Sequence, residues 1–249
     1  MNYIKYFNGI ESASLDEYSK NVNERLSKIL DIEKKGDSYE IKDFTSGLEF
    51  EHWKRILGQR NSVLLLSYNT AMYYFEKGIH DDEFFKDSKK INWENHLNFK
   101  YFSENFLLTS FSILENIGYL LKVFYKIKLK KQEFVSFSTI VQKLNGKKAA
   151  EKYDLKNTEE LLNRLNNIKL KDQRYKNLTT VRNDISHNNP PLILTNPVTE
   201  VDEITTVGTG VYKSSNDIRK IMDEFLEIYI EIIDILFEIS ILLNKKWFL

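Results

Sequence analysis

The stretch Val181–Pro191, VRNDISHNNPP, sets an arginine, short polar residues and a histidine directly before two prolines. Proline lacks an N–H and fixes its own φ, and the residue before it is pushed toward extended backbone, so a helix carrying TTVRNDISH stops at about Asn188. All three prolines of the chain, Pro190, Pro191 and Pro197, stand together here, and no other position holds one. Long proline-free stretches on both sides, with apolar residues recurring every three to four positions, predict an all-α protein built as an up-and-down helical bundle. Helices are expected over about 12–34, 48–57, 60–77, 98–129, 134–145, 157–170, 171–188 and 215–245.

Working outward, the loop 189–213 between the proline stop and the final helix is too long for a simple connection. Within it EITTVGTGVYK alternates around Gly208-Thr209-Gly210 and allows a small β-hairpin. The polar segment Gly78–Asn98 marks the clearest break in composition. It divides the chain into an N-terminal helical region, 1–97, without an assigned role, and a C-terminal bundle, 98–249.

With 249 residues, 42% of them apolar and 13% aromatic, the composition is that of a globular protein with a sizeable core. The absence of cysteine removes disulfides, cysteine zinc sites and thiol nucleophiles, leaving His, carboxylate, hydroxyl, Lys and Arg for any chemistry. The opening MNYIKYFNGIESAS has no apolar core of a signal peptide, so a cytoplasmic location is expected. The most apolar run, 225–243, contains Glu227, Glu231, Asp234 and Glu238 at spacings of four, three and four. On a helix these carboxylates form one acidic stripe, which a bilayer would not accept, so no membrane contact is expected. Formal net charge is zero. Yet residues 122–182 hold 16 lysines and arginines against six acids, a local excess of +10 balanced by −10 elsewhere, which points to an anion-binding surface.

His187 falls in the last turn of its helix, where the helix dipole favours the imidazolium form. Arg182 adds a permanent charge on a planar fork suited to phosphate oxygens. Five residues of helix turn the chain by about 500°, so the two side chains point about 140° apart, while Asn183 and His187 share a face. Arg182 and His187 meet on one phosphate either through the length of the arginine and fraying at the proline stop, or by pairing with a second subunit about a two-fold axis. Glu115 sits in the apolar middle of the helix expected at 98–129. It is read either as a buried carboxylate orienting an active-site group or as an edge residue bonded to a neighbouring helix. Ser110, Ser112 and Gly118 on the same helix permit close packing.

Arg182, Asn183 and His187, placed near the end of a helix with a long apolar helix before and a long helix after, resemble the motif of the HEPN superfamily. The resemblance covers about 98–249. It implies a dimeric helical bundle acting as a metal-independent, cofactor-free endoribonuclease in a toxin or phage-defence role, with RNA as substrate. In that chemistry His187 moves protons, Arg182 stabilises the phosphorane, and Asn183 holds the histidine or a phosphate oxygen. Asp184, Ser186 and Glu115 would support the site. Lys169, Lys171, Arg174 and Lys176 would contact the RNA backbone, and an antitoxin or other defence-system protein would be the regulatory partner. One toxin branch carries a modifiable Tyr two residues after the His; here that position is Asn189, so regulation by that route is not expected. A HEPN fold that binds RNA, nucleotide or protein without cutting is the alternative. Separately, His52 with His80-Asp81, and Asp82 or Asp87 as spare ligands, suggests a metal-dependent phosphohydrolase pattern. GIHDDEFF follows Gly78 as a loop, however, where acids serve as helix caps.

Overall fold

The computed structural model describes residues 22–32, 41–79, 81, 92–153, 155, 157–186, 198–201, 204–207 and 212–245. Its elements in chain order are α1 (Lys28–Asp31), preceded by a helical segment at 22–26, α2 (Ile41–Glu76), α3 (Trp93–Phe124) and α4 (Phe137–Leu144). There follow α5 (Ala149–Tyr153), α6 (Glu159–Lys171), α7 (Gln173–Ser186), the strands β1 (Val198–Val201) and β2 (Ile204–Val207), and α8 (Ser215–Lys245). The expected all-α bundle is what forms.

α2 and α3 pair as a long antiparallel hairpin, and their sequences show why. Phe50, Leu57, Leu64 and Ala71 recur every seven residues on α2, as do Phe99, Phe106, Ile113 and Leu120 on α3, and all eight are buried. A seven-residue apolar repeat keeps one seam facing a partner helix over its whole length. The register is fixed by ring contacts that step down one helix as they step up the other. Phe75 meets Phe99 at 5.5 Å, Tyr68 meets Phe106 at 5.8 Å, Trp53 stacks on Tyr119 at 3.7 Å, and Phe50 meets Phe124 at 5.3 Å. The break expected between 57 and 60 is absent. Gly58 lies inside α2, where its cost of about 1 kcal/mol relative to alanine is outweighed by burial along the seam.

α3 begins on Asn92, whose side chain accepts the Asn95 N–H at 3.2 Å. It ends with Lys126 in the left-handed region at φ 49°, while Ile127 N–H reaches back to the Lys122 carbonyl at 2.9 Å. This Schellman closure is normally built on glycine. Gly118 lets the start of α4 press against α3: a Cβ there would sit 2.8 Å from the Phe137 nitrogen and 2.9 Å from the Ser136 carbonyl carbon. Beyond α6 the chain turns at Asp172, which caps α7. Its carboxylate accepts the Arg174 N–H at 2.8 Å, and its carbonyl accepts the Lys176 N–H at 3.3 Å. α7 then runs antiparallel to α3, with Tyr175 6.3 Å from Phe137 beside Gly118, and Arg182 over Phe111, one heptad back along α3.

α8 closes the bundle with Ile218, Met222, Phe225, Tyr229, Ile232, Leu236 and Ile239 inward. Its acidic stripe faces neighbouring elements. Glu227 and Glu231 meet Arg174 of α7 at 3.0 and 3.7 Å, and Asp234 meets Lys28 at 2.7 Å and Arg25 at 3.7 Å. The stripe thus docks both α7 and the N-terminal helical segment. Of the described helices, it is α3 rather than α8 that is long and apolar enough to cross a membrane by length and composition, and most of that stretch is buried within the bundle.

This packing bears on two expectations. α3 runs through 97/98 without interruption, and among the described residues one core spans both sides. Leu26, Phe50 and Leu64 share one continuous core with Phe106, Leu165 and Phe225, and Asp81 of the polar segment accepts hydrogen bonds from Ser215 N–H at 2.7 Å, the Ser215 hydroxyl and the Tyr212 hydroxyl at 2.7 Å. Asp81, within the segment read from composition as a divider, thus anchors the start of α8. The hairpin within 189–213 forms, but ahead of Gly208-Thr209-Gly210. β1 pairs antiparallel with β2, Val198 opposite Val207 and Val201 opposite Ile204, so ITTV lies against VTEV.

Candidate active site at the end of α7

α7 has an inner and an outer face. Leu178 and Val181 are buried, and Tyr175 and Ile185 pack against the core. Gln173, Lys176, Thr180, Asn183 and Ser186 are exposed. Arg182 lies at the border. Its half-buried side chain passes over α3, with the guanidinium 5.1 Å from the centre of the Phe111 ring, and donates to the Asn183 Oδ1 at 3.2 Å. A guanidinium held over an aromatic face is attracted to the ring without using up its N–H donors. It makes no ion pair among the described residues. The Asp184 carboxylate, two residues on, is taken by Lys213, in the segment entering α8, at 3.1 Å.

Asn183 lies on the outer face, as the helical spacing requires, and Ser186 is exposed at the last described turn. His187, with Asn188, Asn189 and the prolines after it, lies outside the described residues. Glu115 is exposed, which overturns its reading as a carboxylate in the apolar interior. The inward positions of that stretch are Ile113, Leu114, Ile117 and Leu120, and Glu115 falls on the opposite arc. The carboxylate that α3 half-buries is Glu104, whose desolvation holds its pKa above the usual range with Lys100 at 3.8 Å.

The four basic residues expected to meet RNA divide into two kinds. Lys171 and Lys176 are exposed. Lys169 is half-buried and donates to the Ser138 carbonyl at 3.2 Å, and burial pushes its ammonium pKa down. Arg174 is engaged within the fold: it bonds Asp172 at 2.7 Å and Glu227 at 3.0 Å, which hold its pKa above the ordinary value. It is a structural arginine, and its expected RNA contact is withdrawn. The metal-site pattern also loses a member, since both Asp81 oxygens accept hydrogen bonds from Tyr212 and Ser215. His52 is exposed against the edge of Trp53, and His80, Asp82 and Asp87 lie outside the described residues. No group of three or more potential metal ligands gathers among the described residues.

Two participants escaped the sequence. Phe111 and Lys213 are 71 and 31 positions from Arg182, and no spacing rule connects them to it. Also unforeseen is an exposed apolar stripe on α3 formed by Trp93, Leu97, Tyr101 and Leu108. Helical geometry puts these residues within an arc of about 80° that also contains Phe111. The stripe begins where α7 ends, so it adjoins Arg182.

No curated protein and no solved structure matches the chain. A family model described as HEPN_Cthe2314-like HEPN matches residues 53–240, taking in α3 to α7 and most of α2 and α8. With the arginine motif at the end of α7 inside an all-α bundle, the chain belongs to the HEPN superfamily.

Proposed function

We propose that this protein is a metal-independent endoribonuclease whose active site is completed by a second copy of the chain, working in a toxin or phage-defence setting. HEPN domains commonly form dimers and bind RNA, and membership supports a nuclease-related or defence-type role. The single observation that carries the reading is Arg182: a guanidinium braced on Phe111, free of ion pairs among the described residues, at the rim of the bundle beside an apolar surface. Such a group is ready for a phosphate. In the proposed reaction the ribose 2′-OH attacks the adjacent phosphorus and the P–O5′ bond breaks. The products are a 2′,3′-cyclic phosphate and a 5′-OH. His187 moves the proton between these oxygens, Arg182 stabilises the charge on the phosphorane oxygens, and Asn183 orients one of these partners.

The stripe from Trp93 to Leu108 supports the second subunit, since a monomer gains nothing by exposing Trp93, Leu97, Tyr101 and Leu108 in a line. Pairing two such stripes brings both copies of Arg182 to one cleft.

The test is incubation of the purified protein with RNA in EDTA, followed by end-group analysis. Cleavage persists in the chelator and leaves cyclic phosphates. Removing one donor to the developing charge costs roughly 3–4 kcal/mol, so Arg182→Ala lowers the rate by about 10² to 10³, and His187→Ala lowers it comparably. Cleavage at wild-type rate in both variants sinks the assignment. A folded dimer that binds RNA without cutting it identifies the non-catalytic HEPN reading instead.

A further inference from the structure

The loop joining α3 to α4 contains Lys126–Phe134, KIKLKKQEF. Its backbone is held at every turn. The α3 closure fixes Lys126 and buries Ile127, and Leu129 packs against the core. The Glu133 carboxylate accepts the Lys130 N–H at 2.8 Å and the Lys143 ammonium at 2.8 Å, contacts that keep its pKa below the usual range. The Glu133 N–H in turn donates to the Lys130 carbonyl at 2.9 Å. Ser136 then caps α4 against Gly118. From this braced loop Phe134 projects with 86% of its surface exposed, more than any other large apolar residue described. Lys128, Lys130 and Lys131 are exposed around it, and the only acid of the loop is engaged by Lys143.

We propose that Phe134 is a stacking platform for an unpaired RNA base, with Lys128, Lys130 and Lys131 receiving the flanking phosphates. The inference rests on the reading of RNA as the ligand. A ring among ammonium groups suits a nucleotide, which presents a π-face and an anionic backbone together. One side chain is far too small for a protein interface, which needs about 800 Å² per partner. A membrane wedge would use Ile127 and Leu129 as well, but both turn toward the core. Position agrees. Phe137, three residues on, touches Tyr175, and Arg182 stands seven residues further along α7, about 10 Å of helix. The exposed Lys176 lies between the two. A strand held at Phe134 is therefore led along α7 toward Arg182.

The experiment measures fluorescence anisotropy of a labelled single-stranded RNA with the full chain carrying His187→Ala, so that binding is read without cleavage and with Arg182 in place. Phe134→Ala in that background weakens binding by about 5- to 150-fold, as expected for loss of one stacked base. Phe134→Tyr restores it and Phe134→Leu does not. The same change has little effect on a fully paired duplex, and because the ring is exposed, the thermal midpoint does not move. Unchanged affinity of Phe134→Ala, full affinity of Phe134→Leu, or no binding of single-stranded RNA by the parent each overturns the platform. So does a loss confined to phosphatidylserine vesicles. If Arg182→Ala and His187→Ala both cut RNA like wild type, the assignment of the active site fails while a difference between Phe134→Ala and its parent still stands; if Phe134→Ala binds normally, the reverse holds.

Discussion

Arg174 and Arg182 occupy opposite ends of α7 and are employed differently. Arg174 meets Asp172, Glu227 and Glu231, and each contact ties α7 to its own cap or to α8. Arg182 meets a ring and an amide, leaving its charge outward. In sequence both are arginines in one basic segment, and only the carboxylates of α8 separate them. Asp172 is the residue on which this helix start depends. Its carboxyl is held below the usual range, chiefly by its hydrogen bond with Arg174. A depressed folded pKa means that the stabilising contribution is complete above the unfolded value of about 3.9 and is lost as pH falls through the folded value. Asp172→Ala is therefore expected to lower stability by about 1–2 kcal/mol at neutral pH, the worth of a helix cap. Urea titrations across a pH series should show wild type and variant converging below about pH 4. A gap of constant size down to pH 2 would contradict this account.

At the scale of elements, α3 organises everything around it. One arc faces α2 through a heptad seam, another takes the start of α4 at Gly118, and α7 lies along it from Tyr175 to Arg182. The close approach at Gly118 is to backbone atoms, which cannot swing aside as a side-chain tip would. Gly118→Ala is thus expected to cost roughly 1–3 kcal/mol, despite alanine's better helix propensity, by pushing α4 off α3. Chemical denaturation measures it, and a stabilised variant would show that the contact relaxes freely. The same displacement moves the loop carrying Phe134, so RNA affinity should fall along with stability. The apolar recurrence every three to four positions and Gly118 as a candidate for close packing were visible in the sequence. Which partner each would meet was not, because an apolar arc specifies burial without naming the neighbour.

Across the whole molecule, the exposed apolar stripe and the candidate site are continuous, so the proposed assembly and the proposed activity are tested together. If two copies pair along this stripe, charges placed there break the dimer while the monomer's core is untouched. Leu108→Glu combined with Tyr101→Glu is expected to shift sedimentation from dimer to monomer and to reduce RNA cleavage to the level of Arg182→Ala, with helicity unchanged. A variant that stays dimeric, or is monomeric and fully active, would remove the composite site. The sequence by itself determined the helical class, the helix bearing Arg182 and Asn183, and the local excess of positive charge, because these depend on periodicity and composition. It misplaced what depends on distant partners. Asp81 anchors the start of α8 across 134 positions, Arg174 is engaged by Glu227 and Glu231, and Glu115 is turned to solvent. Only tertiary packing decided which charges were neutralised internally and which were left outward, since a charge is fixed by its residue type but its availability is set by whatever the fold brings beside it.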